Sequence, residues 1–334
     1  MAGRFIHLHT HSHYSFLEAL PKVPELVKEA KAQGMDALGL TDAGNMHGAI
    51  EFYQKAERAG IKPIFGVDAY LSDKSRLDLD TKRSRLVLIA ENNVGYKNLM
   101  KLVTRSFLEG FNEKPRMDAE ILREHKDGLI AIIPSFAGDV VQLLRAGDTN
   151  GAAAALAEHV SIFGKDNVFL EITHHPKVEG HSKRMEQIKM LSLQSGVPLL
   201  AQHDVYYLKP DDREATEVMR RIAHGNKGDT NQDEDFSFVT EAVMREWFKD
   251  VPEAVDASGH IADRCLVTME LGSWNFPEVI VPEGVTHTEA LRKTTYDGLS
   301  MRGMAKTDEV VTRIEYELDL RADTRASRMK PEPS

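Results

Sequence analysis

The chain has 334 residues, 42% of them hydrophobic and 28% charged, with a formal net charge of −10 at pH 7. That composition suits one large globular domain or two ordinary ones, and the acidic balance argues against a domain that grips a phosphate backbone by charge alone. A single cysteine, Cys265, excludes an intrachain disulfide. No stretch approaches the roughly 18 apolar residues of a membrane span, and Met1–His11 lacks a signal-peptide pattern, so the expected compartment is the cytoplasm, with no membrane contact.

In chain order, short apolar runs of strand length recur at Phe5–Leu8, Ala37–Leu40, Pro63–Val67, Leu86–Ala90, Leu129–Ile133, Val168–Ile172 and Val197–Ala201. Continuous apolar runs of this length read as buried strands of a parallel sheet. Helical periodicity lies between them, as at Val23–Gln33 before Gly34 and Ala49–Ala59 before Gly60, both with the glycine of a helix C-terminus. Repeated strand–helix units predict a parallel sheet or barrel with right-handed crossovers, and seven strands suit a barrel. After about residue 208 the pattern turns helical: Glu214–His224, Glu241–Phe248, Pro252–Cys265, His287–Arg302 and Glu309–Leu320. Gly225–Ser237 reads as a polar loop and Phe276–Gly284 as an extended connector. The expected organisation is an α/β barrel domain over residues 1–210, a helical extension over 211–320 and a disordered tail over 321–334.

The sharpest chemical signal is His7-Leu8-His9-Thr10-His11. Alternate side chains of a strand share a face, so His7, His9 and His11 are expected to converge, either on a metal suited to imidazole or in structural hydrogen bonds. Asp42, Asp68, His175 and Asp204 each follow an apolar run. Singly, each carboxylate reads first as a helix N-cap or loop residue. Together they repeat one position in successive units, at the rim where barrel enzymes build their sites. Metals bound there would activate water and clamp a phosphate ester, which points to a metal-dependent phosphoesterase fold.

Three segments, Phe5–Ser15, Leu40–Gly48 and Ile61–Tyr70, resemble the first three motifs of the PHP (polymerase and histidinol phosphatase) family. Asn92–Leu99, Phe169–Ile172 and His203–Leu208 resemble the form of that domain carried by alpha subunits of bacterial DNA polymerase III, and Asp250–Ala254 and Ile261–Cys265 resemble the same subunits beyond that domain, over roughly residues 4–320 in all. The resemblance implies a distorted (β/α)7, TIM-like barrel followed by a mostly helical extension. It implies a metal site of His9, His11, Glu18, Asp42, Asp68, His175 and Asp204, taking Zn, Mn or Mg. Four positions depart from the family pattern: Ala43, Arg85 and Tyr206 stand where histidine is expected, and Ser135 where cysteine is. Asp68 replaces the usual Glu, and Glu18 an Asp. Arg85 would set a cation beside any metals and is expected to form buried ion pairs with the leftover carboxylates.

The resulting expectation is a scaffold domain of a replicative polymerase, with metal occupancy partial or absent. Its implied partners are the remainder of the alpha subunit and the proofreading exonuclease subunit, with DNA met only through the full polymerase. The alternatives are an active 3′–5′ exonuclease and a small-molecule phosphatase like histidinol phosphatase. Asp78-Leu79-Asp80 has the letters of a two-metal polymerase motif but sits in a charged loop, so no polymerase centre is expected within these residues. Trp247, Trp274, Phe236 and Phe238 are read as packing rather than base-stacking residues, and Cys265 as core.

Overall fold

The computed structural model describes residues 3–224, 234–273 and 279–328. Trp274 and parts of the expected loop (225–233), connector (276–278) and tail (329–334) lie outside the described residues. Contacts separate the chain into two compact units, Met1–Met269 and Glu270–Ser334.

Among the described residues the first unit holds eight strands: β1 Ala37–Leu40, β2 Lys62–Ser72, β3 Arg83–Ala90, β4 Phe111–Asn112, β5 Lys114–Met117, β6 Leu129–Ile133, β7 Val168–Ile172 and β8 Leu199–Ala201. Ten α-helices among the described residues accompany them: α1 Val23–Ala32, α2 Ala49–Ala59, α3 Asn93–Leu108, α4 Ala119–Glu124, α5 Asp139–Arg145, α6 Thr149–Phe163, α7 His181–Ser195, α8 Arg213–His224, α9 Glu241–Trp247 and α10 Pro252–Arg264. Local chemistry fixes their ends. Asn92 starts α3 by accepting from the N–H groups of Val94 and Gly95, and Gly60 ends α2 with φ 70°.

The sheet is mixed rather than parallel. β1 pairs β2 in parallel, and β6, β7 and β8 run parallel, but β3 is antiparallel to both β2 and β6. The cause is the short link 73–82: too brief for a crossover helix, it turns β2 back as a hairpin, with Ser72 opposite Arg83. Phe5–Leu8 forms no ladder of its own. Its backbone is instead tied to side chains, Ile6 N–H to Ser258 Oγ at 2.9 Å and Leu8 N–H to Gln202 Oε1 at 2.8 Å. Backbone bonds from Gly39 to His7 and from His11 to Val205 join this segment to β1 on one side and to the chain beyond β8 on the other. The sheet therefore curls into a distorted, TIM-like barrel closed by an irregular first segment.

Two apolar layers follow from strand alternation. The interior holds Ile6, Leu8, Ile64, Val87, Ile89, Ile130, Ile132, Phe169 and Leu200. Residues alternating with these, such as Phe65, Leu86, Leu88 and Leu170, pack outward with Val23, Leu26 and Phe52 of the helices. The end of the interior opposite the polar mouth is filled by α10, whose Ala257, Ile261 and Ala262, with Cys265 just past its end, join the inner cluster. A Cβ at Gly259 would lie 2.7 Å from the Arg4 carbonyl oxygen, so only glycine lets α10 sit this close. The domain border expected at 210 thus falls inside the first unit, because residues beyond it complete the barrel core.

The second unit contains α11 His287–Met301 and α12 Asp308–Arg328. Thr286 and Glu289 form a reciprocal cap at the start of α11, and Glu315 on α12 accepts from Tyr296 at 2.6 Å. Helix α12 continues through Arg328, past Leu320 and into the stretch expected to be a disordered tail: its 21 residues carry no proline or glycine to stop it.

Candidate metal centre

Extending the inner alternation by one step places the polar mouth. Ile64 leads to Gly66 and Asp68 on β2, and Phe169 leads to Glu171 on β7. On β3 the direction reverses, so Ile89 and Val87 lead back to Arg85 at the same end. An antiparallel strand is what carries the first residues of β3 into the mouth.

Arg85 grips Asp68 at two points: Nε donates to Oδ1 at 2.9 Å, and Nη2 donates to Oδ2. Its guanidinium lies 4.1 Å above the Tyr70 ring, opposite it on β2, and Nη1 is 3.9 Å from Glu18. Glu18 also accepts from Lys114 at 2.7 Å and from the Tyr70 hydroxyl at 3.0 Å. Burial is the largest influence and would raise the Asp68 carboxyl, but the Arg85 charge together with hydrogen bonds from His11, His9 and Arg85 holds Asp68 well below the usual carboxylate range.

Among the described residues two groups of three donors are close enough to share an ion: His9, His11 and Asp68, and His9, Glu171 and Asp204, all buried and, within each group, with ligand atoms within 4.8 Å of one another. His9 Nδ1 lies 2.7 Å from Glu171 Oε1 and 3.1 Å from Asp204 Oδ1. Burial disfavours its charge, yet these two carboxylates hold the imidazole well above 6.5. His11 Nε2 is 3.2 Å from Asp68 Oδ2.

The other expected ligands stand apart from these groups. Asp42 is held by the Ser12 N–H at 2.7 Å, the Ser12 hydroxyl at 2.8 Å and the Ser15 hydroxyl at 2.6 Å. His175 is fully buried, between Phe236 (ring centroids 4.6 Å apart) and His203 (5.1 Å). Both of its ring nitrogens lack a hydrogen bond, as do both nitrogens of His203. His7 leaves the expected trio. It shares a face with Phe5, makes an edge contact to that ring at 4.7 Å, and reaches Val239 O at 2.8 Å. Burial lowers its pKa to about 3. The three histidines do not share a face because residues 9–11 leave regular strand geometry.

The departed positions have new work. Tyr206 stacks on His11, 4.3 Å between ring centroids and nearly parallel. Ser135 donates its N–H to Glu171 at 2.9 Å and shares a hydroxyl contact with Thr173 at 2.7 Å. Ala43 donates its N–H to Ser15 Oγ at 3.0 Å. Glu171 is the residue sequence reasoning missed. Its strand is apolar and buried on both faces, so only the inner register of Phe169 could have flagged it. The aromatics Phe236, Phe238 and Trp247 pack as expected, the last stacked on His174 at 4.8 Å.

Tested against a metal, the two halves of the mouth differ. His9, Glu171 and Asp204 offer a cation a buried, mixed nitrogen–oxygen donor set, and His9 Nε2 and Asp204 Oδ1 lack hydrogen-bond partners. The group containing Asp68 does not fit as well, because Arg85 already supplies the positive charge there.

A barrel with histidines and carboxylates at one mouth defines an α/β fold with a candidate metal site. Residues 7–175 match the family described as PHP domain, and the chain belongs to that family. It is homologous to the N-terminal region of DNA polymerase III alpha subunits. It is 34% identical to that of Borreliella burgdorferi over 95% of this chain and 29% of the relative. The alpha subunit of Thermus aquaticus is 36% identical over 90% of this chain and 26% of the relative. That of Bacillus subtilis is 34% identical over 95% and 28%. The chain spans less than a third of the length of these curated relatives.

Proposed function

We propose that this barrel works as a structural PHP module of a cytoplasmic replicative polymerase chain of the alpha-subunit type, with Arg85 standing in for a metal cation. The observation that carries the reading is the buried two-point pair between Arg85 and Asp68. A guanidinium there supplies charge balance but cannot activate water or clamp a scissile phosphate as a metal would. The rest of an alpha subunit is the partner this reading requires. The proofreading subunit would be a second, and DNA would be met through the complete polymerase. Among described residues no helix is long and apolar enough to cross a membrane.

The second reading, an active metal-dependent phosphoesterase or 3′–5′ exonuclease, is favoured by His175 Nε2 and both ring nitrogens of His203, which make no hydrogen bond, and by the donor set of His9, Glu171 and Asp204. Those three would hold one ion of Zn, Mn or Mg. The test is hydrolysis of an end-labelled single strand and of a chromogenic phosphate ester, with each metal and with chelator. The structural reading expects no metal-dependent turnover. Turnover that disappears in His9→Ala would replace it with the hydrolase.

A further inference from the structure

We propose that Glu18 and Lys114 form a strained latch across one side of the barrel mouth, which opens when their ion pair is released. The inference goes beyond the structural reading and stands or falls separately from it.

Two turns meet at this pair. Leu17 (φ 61°) and Glu113 (φ 60°) are the two non-glycine residues of positive φ among the described residues, and each directly precedes one partner of the pair. Left-handed backbone is unfavourable for such side chains and persists only where surrounding contacts hold it. The contacts that hold it here are Lys114 Nζ to Glu18 at 2.7 Å, the Tyr70 hydroxyl to Glu18 at 3.0 Å and Arg83 Nη2 to Glu113 at 3.1 Å. The Lys114 and Glu18 side chains are partly exposed, and those of Arg83 and Glu113 more so. Both ion pairs are therefore open to screening by salt.

Each turn is short and has fixed ends. Ser15 Oγ donates to Asp42 at 2.6 Å and the Leu20 N–H donates to the Tyr206 carbonyl at 3.0 Å, which anchors the chain on both sides of Phe16–Glu18. Phe16 itself is exposed. The second turn is the tip of the β4–β5 hairpin. At its base the buried Arg116 donates to the carbonyls of Gly110 at 2.9 Å, Asp78 at 2.7 Å and Arg76 at 2.8 Å. Between these anchors, opening gives up salt-sensitive contacts and relaxes two strained residues. That balance sets both turns at the low-stability end of the fold.

The latch borders a cavity. Glu18, Tyr70, Arg85 and Lys114 line a space of about 570 Å³ at the mouth. With the latch shut, Glu18 also lies 3.9 Å from Arg85 Nη1. With it open, Arg85 keeps Asp68 alone and the cavity widens on that side. The latch thus controls both the width of the mouth and how firmly Arg85 is held.

Hydrogen exchange of the full chain, read by mass spectrometry, tests this. The segments around residues 16–18 and 111–114 should exchange faster together, by about threefold, between roughly 0.05 and 0.5 M sodium chloride, while Leu129–Ile133 of β6 stays unchanged. Lys114→Met should give that faster exchange at low salt and abolish the salt response. Leu17→Asn, which adopts left-handed backbone more readily, should slow both segments. Separate responses of the two segments, no response to salt or to Lys114→Met, or faster exchange in Leu17→Asn would each overturn the proposal. The salt comparison uses the unaltered chain, so it decides the matter even where a variant fails to fold. Metal-dependent turnover is not read in any of these arms, so the structural reading is judged by its own test.

Discussion

Arg85 reaches diagonally across the β2–β3 hairpin to Asp68, two residues along β2 from its register partner Tyr70, with Nε 2.9 Å from Oδ1 and the second fork of the guanidinium on Oδ2. The Arg85 side chain is 14% exposed and that of Asp68 4%. Removing one partner strands a charge in a desolvated mouth. Arg85→Ala should therefore destabilise the fold by about 3–5 kcal/mol, read by urea unfolding, whereas Arg85→Leu with Asp68→Leu should cost distinctly less. Equal losses in the two variants would mean that packing, not charge pairing, is what Arg85 contributes.

One hydroxyl ties the plug of the barrel to its irregular first segment. Ser258 on α10 accepts from the buried Ile6 N–H at 2.9 Å. Ser258→Ala leaves that donor unpaired and should cost about 1–3 kcal/mol. Ending the chain after residue 210 removes Ala257, Ile261, Ala262 and Cys265 from the inner cluster. Such a protein should show no cooperative thermal transition, whereas one ending after Met269 should retain it.

Cys265 reports on the same plug. It is 1% exposed, and burial pushes its thiol up to about 12 from an ordinary 9.0. The folded state holds the proton longer than the unfolded state does, so its contribution to stability is complete below pH 9 and is lost as pH rises toward 12. Disulfide reagents at pH 8 should react with Cys265 only after unfolding, and Cys265→Ala should flatten the loss of stability above pH 9. Rapid labelling of the native protein would show that α10 leaves the barrel readily.

Much of this was readable in the sequence, and the failures are local. His9, His11, Asp68 and Asp204 meet at one mouth, the end at which the position after each apolar run pointed, and an ion pair of Arg85 with a leftover carboxylate followed from replacing an imidazole with a cation. The antiparallel course of β3 was not found, since a buried apolar run looks the same in either direction. Glu171 was passed over because its strand is buried on both faces and shows no polar alternation. The role of α10 was missed because a helix that fills a barrel end has the same periodicity as one packed on its outside.

The replaced positions give a gain-of-function test. Arg85→His with Tyr206→His removes a cation from the mouth and returns two imidazoles near His9, His11 and Asp68. Manganese affinity, followed by calorimetry, should rise by at least the roughly tenfold that a single supporting partner commonly contributes to a metal site. Unchanged affinity would mean that the backbone around the mouth, rather than these two side chains, limits metal binding.

The most direct measurement is anomalous diffraction from crystals of the chain soaked in Mn or Zn. The account predicts no peak at Asp68, with the Arg85 guanidinium still paired to its carboxylate, and at most a single ion among His9, Glu171 and Asp204. A metal coordinated by Asp68 with Arg85 displaced from it would contradict the account.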